Sequence, residues 1–134
     1  MKKLTLTKAF AQFGAELKNP RWQVSALASD GSLVVSCWSF LLKSTPDGNV
    51  PYEDQWSRWR GGNRTGMNLL KSHLLMAIEH ELPVRLVIAT LEKPEDADSP
   101  STDGSVFPKT FSTDARLVGR VVKLDDDGFA IEFP

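Results

Sequence analysis

The sequence predicts an α+β fold: a small curved antiparallel sheet or partly open β-barrel of about six strands, with one main helix packed across it and a short N-terminal helix. Three observations lead there. Asp30-Gly31 stands between the runs "RWQVSALAS" and "SLVVSCWSFLL", and an Asp-Gly pair between two such runs is a strong hairpin signal. Apolar residues recur three and four apart through 65–81, the period of a helix with one buried face. Two further apolar stretches, "VRLVIATL" and "ARLVGRVVKLDDDGFAIEF", follow with the composition of strands.

In order along the chain, Thr5 or Thr7 caps a helix over 5–17, whose Ala9, Phe10, Phe13 and Leu17 fall on one side. Pro20 ends it. Trp22, Val24, Ala26 and Ala28 alternate with Gln23 and Ser25 as a strand, and Leu33 to Leu42 form its partner after the turn. "TPDGN" turns the chain again into a shorter strand, "VPYEDQWSRW", where Pro51 implies an edge or a strand start. Met67, Leu70, Leu74, Ala77 and Ile78 are the predicted inward stripe of the helix 65–81, which Pro83 closes. "VRLVIATL" follows as a buried strand. Residues 92–108 carry five acids against one lysine, a local charge of −4, with three prolines and no apolar period, and are expected to form a long mobile loop. The tail is a hairpin turning at "DDDG".

A chain of 134 residues suits one compact domain, 1–134, that builds its core without staples. Sixteen basic and seventeen acidic residues give a formal charge of −1, which argues against global basicity and leaves room for a local basic patch. The single cysteine, Cys37, lies in an apolar run and reads as a buried small hydrophobe; its solitude forbids an internal disulfide and fits a reducing, cytoplasmic location. No apolar window reaches the length of a membrane span, and the N-terminal lysines are not followed by a signal-peptide core. No cofactor or metal is expected: nucleotide-binding glycine motifs are missing, and His73 and His80 stand seven apart rather than at the spacing of a helical metal pair.

The stretch "EDQWSRWRGGNRTGMNLL", residues 53–70, carries the most chemistry. From Gln55 to Ile78 there is no acidic residue, while Arg58, Arg60, Arg64 and Lys71 are basic. Gly61, Gly62 and Asn63 allow backbone amides to turn toward a ligand just before a helix begins, and free amides with arginines are the parts of a phosphate cradle. Trp56 and Trp59 add rings on which bases stack. Arg21, Lys43, Arg116, Arg120 and Lys123 would extend the positive face if the fold gathers them. The same residues also suit a packed corner in which tryptophans are buried and arginines lie over them.

These features predict a non-enzymatic nucleic-acid-binding module. The alternative is a protein-interaction or inhibitor module, such as a small phage or bacterial defence protein, acting through the acidic loop 92–103 or an open sheet edge. Such edges also permit a homodimer. An enzyme with a dispersed site is the lesser alternative, since no catalytic motif appears.

Overall fold

In the computed structural model, residues 5–19, 23–42, 46, 48–59, 64–93 and 109–133 are described, with only the backbone of residue 59 included. The expected first hairpin is present: β1 (Ser25–Leu27) and β2 (Leu33–Trp38) pair antiparallel across Asp30-Gly31. Gly31 adopts φ +91°, which glycine takes without strain, and Asp30 Oδ1 accepts the Ser32 N–H at 2.9 Å. The N-terminal helix is shorter than the predicted 5–17. α1 is Leu6–Ala11, capped by Thr5 through the Lys8 N–H at 3.2 Å. Gly14 at φ +79° turns the chain out of it, and Ala15 N–H bonds back to the Phe10 carbonyl.

β2 also stops early, at Trp38, where the 3-10 turn Ser39–Leu41 replaces the rest of the expected strand. β3 (Val50–Gln55) is followed by a second 3-10 turn, Trp56–Trp59, so that these tryptophans do not belong to a strand as predicted. α2 (Arg64–Glu79) and β4 (Val84–Leu91) lie within one or two residues of expectation. β5 (Lys109–Thr113) is a strand the sequence reading missed, because "KTFST" has no apolar alternation. β6 (Arg120–Leu124) and β7 (Gly128–Phe133) form the last hairpin, in which Asp125 Oδ1 accepts the N–H groups of Asp127 and Gly128. The expected acidic loop falls, beyond residues 92 and 93, outside the described residues.

The fold is α+β, but the strands make two sheets rather than one, and these do not close into a barrel. One has the order β1-β2-β4-β5 and the other β3-β7-β6. Adjacent strands were expected to pair antiparallel; instead β3 leaves for the second sheet, and β2 pairs parallel with β4 through the crossover that contains α2. Reciprocal backbone bonds between Val84 and Gly119, at 2.8 and 2.9 Å, tie the two sheets together.

Both faces of the four-stranded sheet are covered, which explains the unbroken burial of Leu33, Val34 and Val35. On one face Val34, Val87, Ala26 and Ala28 pack with Phe10 and Ala9 of α1. On the other, Leu33, Val35, Leu86 and Val84 meet Leu70 and Leu74 of α2 and Tyr52, Phe129, Ile131 and Phe133 of the second sheet. Of the stripe expected to face inward, Leu70, Leu74 and Ala77 are buried and Met67 is half-buried, but Ile78 is exposed; Gly66 is buried beside them.

Candidate functional site

Tyr52, Asp54 and Trp56 follow one another at every second position, and all three point into the protein. Each holds something in place. The Tyr52 hydroxyl accepts the backbone N–H of Trp38 at 3.2 Å. The Asp54 carboxylate, whose side chain is 1% exposed, takes Arg58 in a two-point grip: Nε to Oδ1 at 2.6 Å and a terminal nitrogen to Oδ2 at 3.2 Å. It also accepts the Gln55 N–H at 2.8 Å. The Trp56 indole N–H donates to the Asp125 carbonyl at 3.0 Å, which joins β3 to the last hairpin.

These contacts change the roles that the sequence suggested. Trp56 is not a stacking platform: it is 8% exposed, its ring lies 5.1 Å from Phe129 between centroids, and the Lys71 ammonium sits 4.8 Å above it. Lys71 is thus a cation–π partner of a core tryptophan. Arg58 is anchored by an internal carboxylate. Burial works against its charge, but the hydrogen bond and charge of Asp54 prevail and hold its pKa above the ordinary arginine value. Arg64 opens α2, exposed, and no acidic residue shares that first turn. Arg60, Gly61, Gly62 and Asn63 lie outside the described residues, as does the side chain of Trp59. Of the further cations, Arg116 pairs with Asp114 at 3.0 Å and Lys123 with Asp125 at 3.6 Å.

Arg58 leads to a group that sequence reasoning did not find. Its guanidinium carbon lies 5.6 Å over the ring of Phe40, and Phe40 stacks on Trp38 with centroids 5.6 Å apart and planes inclined by 26°. The Lys109 ammonium lies 5.8 Å over Trp38. Cation, ring, ring and cation therefore form one row, Arg58–Phe40–Trp38–Lys109, drawn from three segments of the chain. The ring of Phe40 is 40% exposed and Trp38 is half-buried. By sequence both rings belong to the second strand of the hairpin, Leu33 to Leu42. The available signal was the W-S-F spacing just before the "TPDG" turn, which sets two aromatics where a strand ends.

Chemically, the row sets partly exposed aromatic surface beside two positive groups, each lying over the ring it neighbours. Tyr52 fixes the backbone of Trp38, and Asp54 fixes Arg58, so one ring and one cation of the row are held by inward residues of one strand. Three further reactive groups, Cys37, Tyr52 and Ser25, face inward. The Cys37 thiol and Tyr52 hydroxyl are buried side by side, and desolvation raises both well above their usual range. Ser25 Oγ meets His73 Nδ1 at 2.7 Å, but Ser25 is fully buried, so that no substrate reaches its hydroxyl. Among the described residues, no three His, Cys, Asp or Glu side chains group to hold a metal ion, and no helix is long and apolar enough to cross a membrane. No family model matches this chain, and no curated protein or solved structure is significantly similar to it.

Proposed function

We propose that this protein is a nucleic-acid-binding module, acting by binding rather than catalysis, and that it takes unpaired bases on the ledge made by Trp38 and Phe40. One observation carries this reading: the surface row in which two stacked rings lie between Arg58 and Lys109. A base presents a flat π-face whatever its identity, and stacking on an aromatic side chain contributes roughly 1–3 kcal/mol per base. Paired bases hide that face, so the ledge favours single strands. In this reading a base covers the exposed part of Phe40 or takes the place of the Lys109 ammonium over Trp38, and the displaced ammonium and the Arg58 guanidinium meet the phosphates that join the bases. Arg58 also belongs to the basic stretch 53–70. Arg64, exposed at the start of α2, is a further phosphate contact in this reading.

The test is fluorescence anisotropy with a labelled single-stranded oligonucleotide across a salt series. Phe40→Ala, a substitution at an exposed ring, weakens binding about tenfold, within the range for loss of one stacking partner. Lys109→Gln reduces the slope of log affinity against log salt by about 0.7, the loss of one phosphate contact on a single strand. Binding that ignores salt, or that both variants retain at full strength, would reject the proposal.

A further inference from the structure

Among the described residues, α2 has a second face that nothing covers. Gly66, Leu70, Leu74 and Ala77 turn inward. Opposite them, at the 100° step of a helix, the outer face is centred on Leu75 and flanked by Asn68, Lys71, Ser72, Ile78 and Glu79. Leu75 is 50% exposed and Ile78 42%. Leu75 and Ile78, two of the seven large hydrophobics exposed among the described residues, lie about 60° apart on this one face, a pairing that marks a contact surface better than scattered single residues would.

The charges on that face indicate what covers it. Lys71 lies four residues before Leu75, and Glu79 four after. Consider a second copy of the helix laid antiparallel, with Leu75 at the two-fold axis. A rise of about 1.5 Å per residue then sets each Lys71 level with the other copy's Glu79, about 6 Å along the helix from the axis. Symmetry makes the pairing twice over, Leu75 meets Leu75, and Ile78 falls beside the small Ser72. The two helix dipoles also oppose one another favourably. A parallel arrangement would instead set lysine beside lysine and glutamate beside glutamate. Lys71 still has donors for this pairing, because an ammonium carries three and the Trp56 ring lies on one side of it.

We propose that the protein forms a two-fold homodimer through the outer faces of two antiparallel α2 helices. This surface is independent of the aromatic ledge, and so is its test. Sedimentation of the full chain over a dilution series gives a dimer mass at the concentrated end. Leu75→Asp, at a half-exposed position, gives a monomer whose thermal transition at the dilute end matches that of the wild type. Glu79→Lys raises the dimer Kd about tenfold by placing like charges together on both sides, and Lys71→Glu combined with Glu79→Lys restores it. A chain that stays monomeric throughout, a dimer that survives Leu75→Asp, or a charge swap that fails to restore association overturns the proposal.

Discussion

Asp54 and Arg58 are unequal partners, and their burial predicts unequal effects. The carboxylate is almost wholly enclosed, at 1% side-chain exposure, while the guanidinium is 36% exposed and faces Phe40. Removing the arginine therefore takes its two-point partner from a buried charge, whereas removing the aspartate leaves a cation that reaches water. Arg58→Ala is expected to destabilise by about 3 kcal/mol, more than Asp54→Ala, and the double variant to recover part of the loss. Urea midpoints of the three proteins measure the order; equal effects of the two single changes would refute it. His73 supplies a second prediction. Burial lowers its pKa from 6.5, so the unfolded chain binds more protons in the window below that value. The stability it contributes is fully present above about 6.5 and is lost as pH falls through the folded-state pKa. The carboxyls of Asp30, Asp114 and Asp125 are lowered from 3.8 by hydrogen bonds with Ser32, Arg116 and Asp127 respectively, so they titrate below this window. The urea midpoint of the wild type should fall more steeply from about pH 7.5 to about pH 5.5 than that of His73→Asn, which keeps a polar partner for Ser25.

Among the elements, the last hairpin depends most on a close backbone approach. Gly128 lies opposite Gln55 in the β3–β7 register, and a Cβ placed there would come within 2.1 Å of the Asp54 carbonyl oxygen. The obstacle is backbone of the strand that also carries Tyr52 and Asp54, so relief would shift the residues that hold Trp38 and Arg58. Gly128→Ala is expected to cost about 3 kcal/mol, the upper part of the overpacking range, and to weaken oligonucleotide binding at temperatures where the protein is still folded. A fully stable Gly128→Ala variant would show that β3 and β7 have slack. The glycine was legible as a turn residue after "DDD", but its second use, the approach to β3, was not. That approach exists only because β3 crosses to the second sheet.

At the scale of the molecule, residues 92–108 connect β4 to β5, whose ends pair at Leu91 and Lys109. Deleting 94–104 removes Glu95, Asp96, Asp98 and Asp103 and leaves six connecting residues, 92, 93 and 105–108, enough for an antiparallel hairpin. Because Lys109 begins β5 beside the ledge, loss of four nearby carboxylates in sequence should leave oligonucleotide binding intact or strengthen it. Loss of binding in that variant would instead locate the working surface in the acidic segment, as the protein-interaction alternative requires.

Local chemistry determined what neighbours in sequence can decide alone. The Asp30-Gly31 hairpin, the Thr5 cap, α2, β4 and the turn at Asp125 all follow from side chains or glycines acting within a few residues. Pairing between distant strands obeys no such local rule. Whether β2 met β3 or β4 depended on which surfaces α2 and the final hairpin covered, and this choice made two sheets of one expected sheet. It also reversed the fates of two aromatics: Trp56 was drawn into the core by Asp125 and Phe129, while the strand containing Phe40 ended early and left that ring at the surface. A tryptophan or phenylalanine has the same affinity for a core and for a ligand. Only the three-dimensional arrangement of its neighbours assigns it to one or the other.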